Sequence, residues 1–593
     1  MSPISTRSLV ASGNRWTFEP VSDDRVAYLA RELGLSPPLA RVLASRCDEG
    51  RAHELLCNDL SALASPFDFQ GIDDALARIE QALDRNERVF IHGDFDVDGL
   101  TSSALLYRAL RQLGAAEVKA EIGDRQRGHG LCPQVIQRLI RERYDLLITT
   151  DCGISDVDEI QTLRDHGIDT VITDHHEPPE VLPPARAIVN PRQADCRYPN
   201  AHLAAVGVIF QTISALLENR GHGRESARSY LDLAMLGTVG DLVPLVRGTC
   251  VENRALVQSG LNLLAEGGGT LGLRVLIDKL DLDFESLTAG ELSYIVIPKL
   301  NAANRVGDPR VAFLLLTTED PDRAEYLAEV LIDYNRDRRK AQESLREQTE
   351  SMLESEIDLQ RDRSIVLAGE GWNPGVIGLV ASDLVEAYHL PTILISAGED
   401  VARASCRSIR EFNMIAALTQ HAELFERFGG HHMAAGFSIQ PDRIPEFQQT
   451  FGEYAREALA DLANPVQKID AELGAEEISL DLYDEMQRLG PFGMGNRSPR
   501  FLLRGASVVE GRAVGADGKH LKLKLAAGSR EIDAIGFTYG PYLPNVDRSC
   551  IDVVFKLSRD TWNGETSVQL SMLDVLEPAT AASTSTFAGD ETG

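Results

Sequence analysis

The stretch FIHGDFDVDG, residues 90 to 99, gathers His92, Asp94, Asp96 and Asp98 directly behind an apolar run, Val89, Phe90 and Ile91. Three further groups of the same chemistry follow: Asp151 in TTDCG, Asp174, His175 and His176 in TDHHEPP, and Asp241 in GTVGDLVP. Taken singly they are ordinary, since a D-x-D is commonly an Asx turn or helix cap and a His-His pair is commonly structural. Brought together, four or five carboxylates repel one another and resist ionisation. Divalent cations remove that cost. Oxygen-rich ligation with an imidazole suits Mn²⁺ or Mg²⁺ better than a thiolate zinc site would. Two such ions about 3.5–4 Å apart, bridged by a carboxylate, activate water against a phosphate ester without a protein nucleophile.

For these residues to meet, each must end a strand of one sheet. Between about 88 and 190, the runs RVFI, VKAEI, DLLITT, DTVIT and RAIV alternate with helix-like stretches. This is the βαβ rhythm of a parallel sheet, whose functional groups collect in the loops after the strands' carboxyl ends. TSSALLYRALRQLG reads as a helix with Leu105, Leu106 and Leu110 on one side and a stop at Gly114. Residues 319 to 363 are charged, lack Gly and have their only Pro at Pro321, which predicts one long helix between two lobes. A second α/β pattern runs to about 460, and beyond Asp470 alternating strands such as HLKLKL and IDVVFKL predict a small β-barrel.

The chain of 593 residues is too long for one core and predicts roughly three or four domains. Its 59 Lys+Arg against 90 Asp+Glu give a net charge of −31, which argues against a general electrostatic grip on nucleic acid. A polyanion would have to be held by local basic grooves or by bound cations. The eight cysteines show no C-x-x-C spacing, so reduced thiols are expected. There is no apolar run of the ~20 residues a membrane span needs, and the first residues, MSPISTRSLVASGNRW, lack a signal-type apolar core, so a cytoplasmic location is expected.

The motif His92-x-x-x-Asp96-x-Asp98, with Asp151, the DHH at 174 to 176 and Asp241, resembles the four motifs of the DHH phosphoesterase superfamily. KLNAANRVGDPRVAFLLL, GWNPGVIGLVAS, SCRSI, FGGHHMAAGF and LGPFGMGNRSPRF look like the further landmarks of its single-strand-specific 5′ to 3′ DNA exonucleases, over about 20 to 580. The resemblance implies a parallel-sheet DHH domain at 71–318, after an N-terminal helical segment at 1–70. It further implies the connecting helix at 319–363, a DHHA1-type substrate-binding domain at 364–460 and an OB-like barrel at 461–580, while the small, polar last stretch, PATAASTSTFAGDETG, predicts a disordered tail at 581–593. It makes Asp96, Asp98, Asp151, His175 and Asp241 metal ligands, with Asp151 bridging, and turns His176 toward the scissile phosphate. His92 is left outside the ligands in some relatives, and Asp94 is given an outer or structural role.

On the substrate side, Arg125 and Arg305 are expected to contact phosphate in the first lobe. Ser405, Arg407, Gly429, Gly430 and His431 are expected to hold the terminal nucleotide in the second, the glycines allowing close backbone approach. A surface ion pair is the ordinary alternative for each arginine. His129 stands where the superfamily usually shows Tyr, Ala205, Asn304 and Cys406 where it shows Gly, and Asn373 where His is common. In the barrel, Lys519, His520, Lys522 and Lys524 form a basic strip, with His520, Lys522 and Lys524 on one face. A plain solvated strand fits that strip equally well.

The implied function is two-metal hydrolysis of single-stranded DNA from its 5′ end to mononucleotides, in recombination and repair, by a monomer working with a helicase and a single-strand-binding protein. The alternatives are a phosphoesterase for short oligonucleotides or other small phosphates, and a non-catalytic DNA-binding scaffold.

Overall fold

The computed structural model describes residues 15–47, 52–56, 59–125, 128–248, 250–359, 361–398, 400–462, 466–515, 518–546, 550–562 and 565–576. The tail expected to be disordered lies outside the described residues. By compactness the chain divides into two units, one within Met1–Ala62, Pro244–Ala255 and Ala463–Gly593, the other Leu63–Val243 with Leu256–Leu462. This division is coarser than the six stretches read from the sequence.

In the second unit, five parallel strands are ordered Glu117–Ile122, Arg88–Gly93, Leu146–Thr150, Asp169–Thr173 and Ala187–Val189. All five sit where the β-branched runs predict them. The chain starts on the Arg88–Gly93 strand, moves to one side and then returns to the other. Its topological switch point therefore falls between Gly93 and Thr150, where the loops of an open α/β sheet part to admit a ligand. Helix Val97–Gln112 lies between the sheet and neighbouring helices with Leu105, Leu106 and Leu110 all buried, and is followed by Gly114 at φ +85°.

Helix Pro321–Glu356 has 36 residues and starts with Asp320, whose side chain accepts from the amides of Asp322 and Arg323. At 1.5 Å per residue it runs about 54 Å. Beyond it a second sheet is ordered Phe425–Gly430, Ala434–Ile439, Ala402–Arg407, Thr392–Ala397 and Ile365–Glu370, with only the last two strands parallel. Trp372 is core here, buried, with its indole N–H donating to Gln348.

The other unit contains a closed five-stranded barrel. Strands Phe501–Val514, His520–Ala527, Arg530–Gly536, Glu565–Leu576 and Ile551–Trp562 pair in that order, and the last returns to the first. The N-terminal stretch is not helical alone: strand Arg15–Phe18 pairs in parallel with Val466–Ile469, and Trp16 donates to Asp574 at 2.8 Å. The strip face is as the alternation requires, but it is not free charge. Lys522 lies 3.8 Å from Asp533 and 3.7 Å from Asp560, and Lys524 lies 3.2 Å from Glu531.

Among the described residues no disulfide joins two cysteines. Among the described residues no helix is long and apolar enough to cross a membrane.

Candidate metal centre and phosphate cleft

The loop after Gly93 turns directly into helix Val97–Gln112. Asp96 caps it, accepting from the amides of Asp98 and Gly99. Gly99 is required because a Cβ there would lie 2.5 Å from the Asp94 carbonyl oxygen. Asp98 is fully buried, and its two oxygens accept from the amides of Ala205 at 2.7 Å and Val206 at 2.9 Å. These amides open helix Ala205–Asn219, whose positive end favours a carboxylate.

Asp151 ends its strand with φ 62°, a left-handed conformation uncommon outside glycine. Its Oδ1 lies 3.2 Å from Nε2 of His175, and that same nitrogen lies 3.7 Å from Asp241 Oδ2. The His175 Nδ1 is 3.0 Å from the Leu203 carbonyl oxygen, which can only accept, so Nδ1 carries the proton. Burial, then the neighbouring His176, hold His175 down to about 3, so it is neutral and Nε2 offers a lone pair.

Asp174 is the clamp of the DHH triplet. Its Oδ1 accepts from the amides of His175 and His176 and from His176 Nδ1 at 2.8 Å, and its Oδ2 from the Ile154 amide. Burial alone would raise it, but these bonds and the two imidazoles hold it down to about 2.

Three sets of ligand atoms each fall within 4.8 Å: Asp98, His175 and Asp241; Asp151, His175 and His176; Asp94, Asp96 and Asp151. Asp151 and His175 each belong to two sets. The crowding is electrostatically costly without a cation. Asp98 is pushed up to about 7 by burial and by Asp96, Asp96 is raised by burial and Asp94, and Asp151 and Asp241 rise well above the carboxylate range by burial and by Asp98. Asp151 Oδ1 and His175 Nε2 are both buried without a hydrogen-bond partner among the described residues. Lone pairs facing lone pairs, from hard oxygen donors and a neutral imidazole, fit divalent Mn²⁺ or Mg²⁺.

His92 belongs to none of the three sets. It is buried, with Nε2 3.4 Å from the Gly130 carbonyl oxygen, and burial lowers its pKa. Asp94 enters a set that the sequence reading did not give it. His129 pairs with it, Nδ1 to Oδ1 at 3.0 Å. Burial works against charge on His129, but the bond to Asp94 and its charge lift it to about 9.

Beside the acids lies a group of guanidinium ions. Arg305 is pushed down to about 9 by burial and then by the charges of Arg125, Arg407 and Arg338, while Asp96 pulls the other way. Its Nη1 donates to the Gly375 carbonyl oxygen at 2.8 Å, joining the first lobe to the loop before helix Ile377–Tyr388. Arg407 donates to Ser405 Oγ at 3.1 Å, and a Cβ at Gly378 would lie 2.7 Å from that oxygen, so glycine opens the space. Arg125 stacks over Phe95, 4.3 Å from the ring centre. Asn304 accepts from the Arg125 amide and donates to the Phe95 carbonyl, so the residue standing for a usual Gly braces this loop.

Gly429 and Gly430 lie on the edge strand Phe425–Gly430, where Gly430 faces Ala435, which in turn faces Cys406. They are thus about 10 Å, two strand spacings, from Cys406, the neighbour of Arg407. His431 is exposed beyond them. Arg338, on the helix read as a spacer, is the member of the cationic group that the sequence reading missed. Ala205 contributes its amide to Asp98, Asn373 accepts from the Gly375 amide at 2.8 Å, and Cys406 is buried core.

A switch-point acid cluster facing an arginine cleft defines a phosphoesterase of the DHH class. The DHH family N-terminal domain matches residues 88–238, the DHHA1 domain 362–457 and the RecJ OB domain 469–574. The chain is 35% identical over 574 residues to the single-stranded-DNA-specific exonuclease RecJ of Bacillus subtilis, covering 95% of this chain and 71% of that protein. It is 31% identical to the same exonuclease of Escherichia coli over 571 residues, covering 92% and 96%. The crystal structure of Thermus thermophilus RecJ in complex with Mn²⁺ superposes with a TM-score of 0.81 at 29% identity, covering 96% of this chain and 80% of that one. The chain belongs to the RecJ family.

Proposed function

We propose that this protein hydrolyses single-stranded DNA from the 5′ end to 5′-mononucleotides, using two divalent cations, Mn²⁺ or Mg²⁺. The observation that carries the reading is the neutral, proton-poor face of His175 set against Asp151 and Asp241 beside the Arg305 cleft. Asp96, Asp98, Asp151, His175 and Asp241 are the proposed ligands, with Asp94 added on geometry. Bound there, the cations supply Lewis acidity to a phosphate oxygen and to water.

The chain's own residues do the rest. Asp98 is fixed by two helix amides, so the ligand set is organised before substrate arrives. His176 commits Nδ1 to Asp174, which leaves Nε2 for the scissile phosphate. Arg125, Arg305, Arg407 and Ser405 grip the terminal phosphate, with His129, Gly429, Gly430 and His431 around the nucleotide. Arginine suits this role because its planar fork matches two phosphate oxygens. The barrel guides the trailing strand. The protein works as a cytoplasmic monomer in recombination and repair, with a helicase and a single-strand-binding protein as partners.

The test is digestion of a single strand blocked at the 5′ end, blocked at the 3′ end, or annealed as duplex, in Mn²⁺ and in chelator. The expected result is mononucleotide release only from the 3′-blocked single strand and only with metal. Equal digestion of the 5′-blocked strand, or cleavage undiminished in chelator, overturns the reading.

A further inference from the structure

At the far end of the helix that carries Asp98 lies a second cavity, of about 850 Å³, lined among others by Tyr107, Arg108, Arg111, Tyr230, Thr318 and Arg323. Asp98 and Arg111 are thirteen residues apart on helix Val97–Gln112, which separates the two places by about 20 Å. The volume falls in the range of small-molecule sites, and the cavity opens to solvent beside Arg111 and Arg323, both exposed.

Its charge is unusual for this chain. In a protein of net charge −31, no described carboxylate lies within ion-pair distance of the side chains of Arg108, Arg111 or Arg323. Arg108 Nε is buried and has no hydrogen-bond acceptor among the described residues. A buried guanidinium N–H is expected to have an acceptor. The two acids on the rim do not supply one, and the buried Asp232, which lies close enough to feel the Arg108 charge, gives its Oδ2 to the Thr270 amide and makes no hydrogen bond to Arg108. Asp320 spends its Oδ1 on the amides of Asp322 and Arg323, capping helix Pro321–Glu356, and Glu319 is exposed. That helix also turns its positive end this way. All three cations are arginines, the side chain that grips a phosphate through two parallel N–H groups. Tyr107, half-buried and edge-on to Phe313 at 5.6 Å, provides an aromatic wall.

We propose that this cavity is a second anion site that takes a phosphate monoester of nucleotide size, apart from the metal cluster. The phosphate sits among the guanidinium groups of Arg108, Arg111 and Arg323, and a planar base lies against Tyr107. Free nucleotide and inorganic phosphate share the anchoring chemistry, and the aromatic wall distinguishes them.

The experiment is calorimetric titration of the full chain with dTMP, thymidine and inorganic phosphate in an Arg305→Ala background, which takes a guanidinium out of the catalytic cleft. Adding Arg111→Ala and Arg323→Ala, both at exposed positions, is expected to weaken dTMP by about tenfold or more. Inorganic phosphate should compete with dTMP but bind less tightly, and thymidine should not compete. The melting temperature of the triple variant shows that it is folded, and Arg111→Glu gives a second variant expected to weaken dTMP further. The proposal is overturned if dTMP does not bind, if it binds equally with and without the two cavity arginines, or if thymidine binds as well as dTMP.

Discussion

With Asp151 ionised, Asp151 and His175 meet acceptor to acceptor: Oδ1 and Nε2 are 3.2 Å apart, and the His175 proton is committed to Leu203 on the other side of the ring. Asp151→Asn converts this into a donor and an acceptor. Asn also tolerates the φ of 62° that Asp151 adopts, so the turn holds. The variant is expected to melt higher than wild type in chelator at alkaline pH, where the wild-type carboxylate is ionised, to lose the Mn²⁺-induced rise in melting temperature, and to lose about 10³-fold in kcat, equivalent to roughly 4 kcal/mol. Calorimetry with and without Mn²⁺, paired with single-strand digestion, checks all three.

The raised carboxylates set a pH dependence for the metal-free protein. Asp98 is protonated up to about pH 7 when folded but only near its ordinary 3.8 when unfolded. Between those values the unfolded chain binds fewer protons, so stability falls as pH rises, and Asp96, Asp151 and Asp241 act in the same direction. Below the lower value the carboxyl is protonated in both states and contributes nothing. In chelator the melting temperature should therefore drop from pH 7 to pH 8, above the range in which His175 and His92, held neutral by burial, act in the opposite sense, and saturating Mn²⁺ should flatten that drop. Parallel curves with and without metal would contradict the shared-cation account.

Arg305 is placed to bind rather than to react, since its neighbours are Arg125, Arg407 and the Gly375 carbonyl. Arg305→Lys keeps one positive charge but loses the planar fork and the donor to Gly375. KM for a 5′-phosphorylated single strand should rise about tenfold, with kcat changed far less. A substrate lacking the 5′ phosphate should show a smaller difference between variant and wild type. Steady-state kinetics on the two substrates measure it.

The acid cluster was legible because its signals are local. Each acid follows an apolar run within a few residues, and a parallel sheet brings strand ends to one edge regardless of what lies between; Asp241 departs from that expectation, since it ends helix Leu231–Gly240 and not a strand. Asp94 was harder, because its place beside Asp96 and Asp151 depends on the tight turn that Gly99 permits. Arg338 was hidden by its surroundings, since one inward arginine on a 36-residue charged helix leaves no periodic mark. The strip at Lys522 and Lys524 read as basic because Asp533, Asp560 and Glu531 reach it only through barrel pairing. Strand Arg15–Phe18 met the same limit, its partner lying some 450 residues along the chain.

Arg254 shows how far such long-range dependence goes. It sits in helix Glu252–Ala265, buried to 1% exposure, and donates to the carbonyl oxygens of Gly490 at 2.7 Å, Arg488 at 3.0 Å and Leu55. Leu55 closes helix Ala52–Leu56, and Arg488 and Gly490 follow helix Leu480–Gln487, so one guanidinium satisfies carbonyls that two helix ends leave over. Arg254→Met keeps much of the volume but strands these acceptors in the interior, at about 1–3 kcal/mol for each one left without water. Stability of the unit containing the barrel should fall by on the order of 3 kcal/mol or more. The Mn²⁺-induced rise in melting temperature, which reports the acid cluster of the other unit, should persist. Calorimetry of the full chain separates the two outcomes: loss of the Mn²⁺ response together with stability would mean that Arg254 supports the metal centre, not the barrel unit alone.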